Sequence, residues 1–301
     1  MSRLRLLACV CLAMLAFAGN SLLCRLALKH TAIDAASFTA IRLLSGACML
    51  WLLVWLRRGS PGVQGQGDWL SAGALFAYAA GFSFAYISMS AATGALLLFG
   101  AVQATMILYG IARGERLHGR QWLGLAVALA GLVALLLPGL ATPSLAGALS
   151  MLGAGVAWGV YSLRGKRQPP QGAGDPTAVT AGNFMRTVPM ALALVLLVWG
   201  LDRLSLDRSG LLLAVASGAL ASGIGYAIWY QALPALQATH AATLQLSVPV
   251  IAALGGVLFL GEALTLALLL SSCAILGGMA LLMLDRSGQR RATPAPPPSG
   301  S

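Results

Sequence analysis

The sequence has 301 residues, of which 9% are charged and 58% are hydrophobic, and its formal net charge is +11. A soluble domain carries roughly a quarter of charged residues, so this composition excludes an ordinary water-soluble fold and predicts an integral membrane protein. The basic residues are spread singly or in small clusters between apolar stretches, which excludes the dense basic face of a nucleic-acid-binding protein.

Ten apolar stretches are long enough to cross a bilayer, whose core of about 30 Å needs roughly 20 residues per helix. They lie at about residues 5–27, 36–56, 69–89, 92–112, 121–138, 145–163, 177–200, 209–231, 238–260 and 263–284. The connections between them are short and leave no room for an extramembrane domain. A secretory signal peptide cleaved after Ala16-Phe17-Ala18 is an alternative for the first stretch, but its removal would leave nine spans.

The distribution of basic residues predicts the orientation in the membrane. With the N-terminus inside, thirteen Arg and Lys residues fall in cytoplasmic connections and tails, whereas Lys29, Arg203 and Arg208 fall on the opposite side. We therefore predict a multi-pass protein of the inner (plasma) membrane with both termini in the cytoplasm. The Pro-, Ser- and Gly-rich end, residues 286–301, predicts a disordered cytoplasmic tail.

A repeat divides the chain into two halves. Gly114-Glu115, followed sixteen residues later by Gly131, recurs after a shift of 147 as Gly261-Glu262 followed by Gly278. This spacing predicts an all-α integral membrane fold of ten transmembrane helices in two five-helix repeats, at 1–138 and 144–285. Because five is an odd number, the second repeat is inverted relative to the first, as in many secondary transporters.

The repeated turn has the pattern of a known family. Gly114-Glu115-Arg116-Leu117 and Gly261-Glu262-Ala263-Leu264 resemble the Gly-Glu-x-Leu signature of the EamA domains in the drug/metabolite transporter superfamily, and Trp158-Gly159 resembles that family's Trp-Gly element. The first half departs from the pattern, with Ala18-Gly19-Asn20 instead. The resemblance implies ten helices, a central cavity that opens alternately to each side, and a cargo such as an amino acid, a nucleoside or another metabolite.

Two arginines lie deep inside apolar stretches. Arg42 is about six residues into the second span and Arg186 about nine into the seventh, and an ionised group within a bilayer is a functional candidate by default. We predict that each attracts a carboxylate or phosphate on the substrate or acts in a gate. The alternative is that each extends to the membrane surface or binds freed backbone carbonyls. For Arg186 such a carbonyl is that of Met185, which Pro189 leaves without its helical partner.

Polar and aromatic side chains near mid-membrane complete the predicted substrate cavity, although each amide has helix-to-helix hydrogen bonding as an alternative role. The cavity residues are Asn20, Arg42, Tyr78, Gln103, Trp158, Asn183, Arg186, His240 and Gln245. Pro249 predicts a kink in the ninth span that exposes the carbonyl of Gln245. Aromatic residues near the ends of the sixth and eighth spans are interpreted as anchors at the membrane interface, namely Tyr161, Tyr226, Trp229 and Tyr230.

Glu115, Glu262 and Pro249 form a second group, for which a structural role competes with a gating role. In each Gly-Glu turn, glycine permits a backbone conformation that strains other residues, and the glutamate caps the helix that follows. Small residues at helical spacing on the fifth and tenth spans predict close packing against other helices or against a second protomer in a homodimer.

No Asp or Glu lies inside a span, and no group of His, Cys or carboxylate residues has the spacing of a metal site or a catalytic centre. We therefore predict no enzyme activity, no cofactor and no metal. The predicted function is export of a small organic metabolite by alternating access, as an exchanger or uniporter, with proton coupling through His240 as the second mechanism. A non-transporting membrane scaffold or sensor is the alternative function.

Overall fold

The fold is built from helices. The computed structural model describes residues 2–58, 66–114, 118–136, 144–165, 175–232, 235–236 and 244–292, and no β-strand occurs among them. Ten helices are described: α1 Arg3–His30, α2 Ala35–Arg58, α3 Trp69–Tyr86, α4 Ala91–Ala112, α5 Gly119–Leu136, α6 Leu145–Gly165, α7 Pro176–Trp199, α8 Arg208–Ala232, α9 Ser247–Leu260 and α10 Leu266–Ala292.

The helices present apolar side chains to the surroundings. α1, α2, α4, α6, α7 and α8 are long and apolar enough to cross a bilayer, and α5, α9 and the first part of α10 are shorter apolar helices. Large hydrophobic side chains lie on the outside, and Leu258 and Phe259 are 75% and 77% exposed. A surface of this kind is suited to lipid rather than water, so the chain is a multi-pass membrane protein.

The ten predicted spans agree in position with the ten helices. α9 is described from Ser247, and most of the earlier part of its predicted span falls in residues 237–243, outside the description. α10 continues to Ala292, so the predicted start of a disordered tail at residue 286 is corrected. The stretch from Arg286 to Ala292 contains good helix formers, and the first proline of the tail is Pro294. Residues 293–301 lie outside the described part of the chain.

Pro249 lies in the first turn of α9, which begins at Ser247. At that position a backbone N–H has no helical carbonyl to bind, so proline is tolerated without breaking the helix. Gln245 has helical backbone, and Leu246 interrupts the helix just before α9, so the kink predicted at Pro249 stays a prediction. Pro189, by contrast, lies inside α7.

Short polar residues and glycines define the helix ends. Asp68, Ser90 and Asp207 precede α3, α4 and α8, and the side chain of each accepts a hydrogen bond from a backbone N–H of the first turn. Gly114 after α4 and Gly261 after α9 have positive φ angles of 88° and 61°. A residue with a Cβ is strained in that conformation, which confirms the role predicted for glycine in the two Gly-Glu turns.

The small-residue faces of α5 and α10 pack against each other. A Cβ added to Gly278 would lie 2.5 Å from the carbonyl oxygen of Gly124, and one added to Gly131 would lie 2.8 Å from the Cβ of Ala274. Such distances are too short for any side chain, so glycine is what allows the two helices to approach. This confirms the predicted close packing between helices, and it leaves these faces covered within the chain rather than free for a second protomer.

α1, α2, α3, α6 and α8 pack around the centre of the molecule. Within α8, Ala216–Ile224 is a π-helix, in which backbone hydrogen bonds join residues five apart. Gly218 allows this segment to approach α2, because a Cβ there would lie 2.2 Å from the carbonyl oxygen of Arg42. The approach brings two buried serines of α8 to the centre, where the candidate site lies.

Candidate functional site

Arg42 lies at the centre of the molecule, on α2, and is 1% exposed. Its Nε donates a hydrogen bond to the Ser222 hydroxyl at 3.3 Å, and its Nη2 donates to the Tyr78 hydroxyl at 3.1 Å. Its Nη1 has no hydrogen-bond partner among the described residues. The sequence therefore located a buried arginine correctly, and the structure gives it two neutral partners from α3 and α8.

Asn20 of α1 extends this arrangement into a network. Its Nδ2 donates to the Tyr78 hydroxyl at 3.4 Å, and its Oδ1 accepts a hydrogen bond from the Ser217 hydroxyl at 2.6 Å. The central polar cluster thus consists of Asn20, Arg42, Tyr78, Ser217 and Ser222, and it joins α1, α2, α3 and α8. All five residues are buried, and their mutual hydrogen bonds offset much of the loss of contact with water.

Aromatic rings surround the central polar cluster. The Arg42 guanidinium lies 5.2 Å from the centroid of the Tyr78 ring and 4.9 Å from that of Phe82, both suitable for cation–π attraction. Trp158 of α6 lies 4.8 Å from Tyr78 and 5.2 Å from Tyr226 of α8, measured between ring centroids. The site therefore combines one cation with a nearly continuous aromatic wall.

The interpretation of the α8 aromatics as interface anchors is wrong. Tyr226 and Trp229 are only 3% and 5% exposed, and each contacts Phe17 of α1 edge to face. Tyr161 is buried as well, and Tyr230 is half-buried. The spacing of residues 226, 229 and 230 by three and four positions, which places them on one helix face, was the available signal for a buried cluster.

A small cavity of about 20 Å³ lies beside the cluster, with room for about one water molecule. Four of the predicted cavity residues line it, namely Asn20, Tyr78, Trp158 and Gln245. Ser21, which follows Asn20 in α1, also lines it. Sequence reasoning missed the apolar and aromatic part of the lining, which consists of Phe17, Phe82, Leu98, Phe99, Ala221 and Tyr226.

Gln103 lies elsewhere, in a separate cavity of about 30 Å³ between α4, α5 and α10. The other residues of this cavity are apolar, and Leu129 and Met279 are among them. The Gln103 Nε2 has no hydrogen-bond partner among the described residues. The structure thus corrects the placement of Gln103 in the central cavity, because the side chain faces α5 and α10 instead.

Asn183 and Arg186 of α7 are also outside the cavity. The Asn183 Oδ1 accepts a hydrogen bond from the backbone N–H of Asp68 at 2.9 Å. Arg186 donates through Nη1 to the carbonyl of Gln66 and, at 3.0 Å, to that of Gly182. These bonds attach residues 66–68 to α7. Arg186 therefore binds backbone carbonyls, as the alternative interpretation expected, but those of Gln66 and Gly182 rather than that of Met185.

Two further predicted residues cannot be compared with the structure. His240 and Glu115 lie outside the described residues, at 237–243 and 115–117. Their predicted roles in proton coupling and gating stay predictions.

Arg25 and Glu262 form a contact that the sequence analysis did not anticipate. Both Glu262 oxygens accept the backbone N–H of Ala91 at the start of α4, at 2.9 and 3.1 Å, and Oε1 also lies 3.4 Å from Arg25 Nε. Arg25 Nη1 donates to the carbonyls of Tyr86 and Ile87 at 2.9 and 3.0 Å. Glu262 therefore caps α4, whose N-terminus carries a partial positive charge, rather than the helix that follows it in sequence.

Asp68 and Arg164 tie the start of α3 to the end of α6. The Asp68 carboxylate accepts hydrogen bonds from the Ser71 hydroxyl at 2.6 Å and from Arg164 Nη2 at 2.9 Å. Partial burial raises the pKa of the Asp68 carboxyl, but the Ser71 hydrogen bonds and the Arg164 guanidinium outweigh it and hold this pKa below its usual range. The contact lies at the opposite end of α3 from Arg25, so the two ion pairs flank the central site.

Comparison with known proteins finds relatives along nearly the whole chain. The sequence model of the EamA-like transporter family matches twice, at residues 4–137 and 145–284. A Pseudomonas aeruginosa protein named PA1977 is 58% identical over 278 residues, which are 92% of this chain and 94% of that protein. The transporter YwfM of Bacillus subtilis is 29% identical over 86% of this chain and 85% of its own length.

One further relative matches only part of the chain, and one solved structure shares its fold. The threonine/homoserine exporter RhtA of Salmonella typhimurium is 35% identical over 133 residues, which are 44% of this chain and 43% of RhtA. A solved crystal structure superimposes with a TM-score of 0.65 over 94% of this chain and 98% of its own. At 22% sequence identity, this superposition shows a shared fold and carries nothing about cargo.

Proposed function

Because the chain belongs to the EamA-like transporter family, we propose that it moves a small organic metabolite across the inner membrane by alternating access, in the direction of export. Proteins of this family are transporters rather than enzymes, and the relatives YwfM and RhtA are named as a transporter and an exporter. The observation that carries the proposal is the central cavity, where amide groups and aromatic rings from several helices meet inside a membrane protein.

Two inverted five-helix repeats, residues 1–138 and 144–285, are the architecture on which this mechanism rests. The family model matches once in each half. Helix contacts also recur between the halves: α3 with α6 corresponds to α8 with α1, and α4 with α6 corresponds to α9 with α1. Contacts between α2 and α7 and between α5 and α10 join equivalent helices. These correspondences support a pseudo-two-fold relation, and the odd number of helices per repeat makes it inverted.

Contacts at both ends of α3 support an occluded conformation. Arg25 and Glu262 join α1 to the turn after α9 at one end, and Asp68 and Arg164 join α3 to α6 at the other. The cavity between them, about 20 Å³, is far smaller than an amino acid. In the proposed cycle, separation of Arg25 from Glu262 opens one face and rearrangement around Asp68 opens the other.

An amino acid is the first candidate cargo and export the first candidate direction, because the name of RhtA states both. Nucleosides and other metabolites of similar size are the next candidates. The proposed contacts are Asn20, Tyr78, Trp158 and Gln245, which line the cavity, together with Arg42 behind Tyr78. The excess of basic residues in alternate connections supports an orientation with both termini in the cytoplasm.

No carboxylate lines the described part of the cavity. This supports exchange or uniport driven by the cargo gradient over proton coupling, which usually needs a titratable group at the site. Proton coupling through His240 is the second mechanism.

Transport by the purified protein in proteoliposomes tests the proposal with two matched amide substitutions. After a panel of amino acids and nucleosides has given a transported solute, Asn20→Leu should reduce its exchange by at least about tenfold, because it removes two buried hydrogen bonds at the cavity. Gln103→Leu, outside this cavity, should leave exchange unchanged. A wild-type protein that folds and inserts but moves no member of the panel would reject the proposal in favour of a scaffold or sensor.

A further inference from the structure

The central arginine carries a charge that no described side chain neutralises. Arg42 is buried, and the two ion pairs among the described side chains use Arg25 with Glu262 and Arg164 with Asp68. An unpaired ion taken out of water is strongly unfavourable unless another charge compensates it. The hydroxyls of Ser222 and Tyr78 and the neighbouring rings provide only neutral partners.

Arg42 also keeps free hydrogen-bond donors on one edge of its guanidinium. Of its five N–H groups, one on Nε and one on Nη2 are used by Ser222 and Tyr78. Both N–H groups of Nη1 are without a partner among the described residues. Nη1 and the remaining N–H of Nη2 form the edge that binds a carboxylate through two parallel hydrogen bonds.

The Arg42 guanidinium lies next to the cavity, behind two of the rings that line it. The rings of Tyr78 and Phe82, which contact the guanidinium, both line the cavity. Trp158 and Tyr226 continue the aromatic lining beyond them. A small shift of these rings would join the guanidinium to the cavity, so that a ligand whose carboxylate binds Arg42 has an apolar aromatic wall beside the rest of its body.

We infer that the cargo carries one carboxylate, which binds and neutralises Arg42, and a flat apolar body, which packs on Tyr78, Phe82 and Trp158. The inference rests on the proposed function, since it names the cargo class of the same cavity. A phosphate ester fits less well, because at neutral pH it brings nearly two negative charges. The arginines that could balance the second charge are engaged, Arg25 with Glu262 and Arg186 with backbone carbonyls.

Ligand-induced stabilisation of the purified full chain tests this inference with a matched pair of probes. Phenylacetate and phenylacetamide have nearly the same shape, but only phenylacetate is charged. We expect phenylacetate to raise the Tm of the wild-type protein in proportion to the logarithm of its concentration, and phenylacetamide to leave the Tm unchanged. Inorganic phosphate, an anion without an aromatic body, is expected to have no effect.

Three variants assign the response to Arg42. Arg42→Gln removes the charge and should weaken phenylacetate binding by at least about 30-fold. Arg42→Lys keeps the charge without the two-donor edge and should bind with intermediate affinity. Arg186→Gln, the matched control, removes an arginine of α7 that lies outside the cavity and should keep the full response.

The inference is overturned if phenylacetamide stabilises as well as phenylacetate, if phenylacetate does not stabilise, if phosphate alone does, or if Arg42→Gln responds like the wild type. Should Arg42→Gln fail to fold, the wild-type comparison of the two probes decides. Exchange of a neutral or cationic solute, without any effect of phenylacetate, would leave the proposed function standing and reject the inference. Binding of phenylacetate through Arg42 without transport of any solute would support the inference about the site and reject the proposed function.

Discussion

Gln103 and Arg42 each have a buried side-chain nitrogen without a hydrogen-bond partner among the described residues, yet the surroundings of the two residues differ. Arg42 is bonded to hydroxyl groups and contacts aromatic rings beside the cavity. Gln103 lines a cavity whose other walls are apolar. An amide buried in such a place loses its hydrogen bonds to water and gains none in return, so Gln103 lowers the stability of the folded protein.

We predict that Gln103→Leu raises the free energy of unfolding by about 1 kcal/mol, because leucine occupies similar space without an unsatisfied donor. The control Gln103→Ala also removes the amide, but it enlarges the cavity and should destabilise the protein. Thermal unfolding in detergent measures both variants. A Tm of Gln103→Leu below the wild-type value would show that the amide has a stabilising partner.

The sequence indicates how deep a polar residue lies in the membrane, but not which side of its helix it occupies. Depth follows from the rise of 1.5 Å per residue, and on that basis Asn20, Gln103 and Asn183 all lie well inside their predicted spans. In the structure Asn20 lines the cavity, whereas Gln103 faces α5 and α10 and Asn183 binds the backbone before α3. A soluble helix reveals its inner face by an apolar stripe, but here both lipid and protein core are apolar.

At the scale of elements, the π-helix of α8 explains why two serines of the central polar cluster could not be predicted. Ser217 and Ser222 are five residues apart, which places them on different faces of an α-helix with 3.6 residues per turn. The hydrogen bonding of a π-helix, from residue i to i+5, brings them onto one face, where they reach Asn20 and Arg42. Glycines such as Gly218 are compatible with a π-helix, but their presence in the sequence does not predict one.

The contact between Arg25 and Glu262 joins α1, the start of α4 and the turn after α9, so we predict that it holds one face closed. Glu262→Gln keeps the size of the side chain but loses the ion pair and the negative charge at the α4 N-terminus. Cys24, adjacent to Arg25, is fully buried. In a protein with this cysteine alone, the variant should increase the rate of Cys24 labelling by a membrane-impermeant maleimide about tenfold.

Asp207→Asn is the matched control for this experiment. Asp207 caps α8 through the backbone N–H of Gly210, and no hydrogen bond joins it to Arg25 in the described structure. Its substitution should therefore leave the Cys24 labelling rate unchanged. Equal labelling of the wild type and Glu262→Gln would mean that the ion pair does not keep this face closed.

At the scale of the whole molecule, the number and position of the helices could be predicted because bilayer thickness fixes the length of a span. The two Gly-Glu turns were equally predictable, since Gly114 and Gly261 both adopt the left-handed conformation that glycine favours. The burial of the aromatic residues of α8 could not be predicted. Tyr226 and Trp229 lie near the end of an apolar stretch, as interface anchors do, and only the packing of α8 against α1 and α6 buries them.

The unpaired guanidinium of Arg42 makes the empty and the loaded protein electrically different. An empty site carries a charge of about +1, and a site filled by a monoanion carries none. In the proposed alternating-access cycle, only the empty site would move charge through the membrane field, at about 2.3 kcal/mol per 100 mV for full traversal. In the proposed transport cycle, a negative-inside potential would turn the empty site towards the cytoplasm, where it would load cargo for export.

Net efflux from proteoliposomes should therefore accelerate with this potential, while exchange of cargo for cargo should not respond to it. A net efflux that is independent of voltage would contradict the difference in charge between the empty and the loaded site. The membrane potential would thereby set the direction of transport in a protein whose cavity, as far as it is described, has no carboxylate to bind a proton.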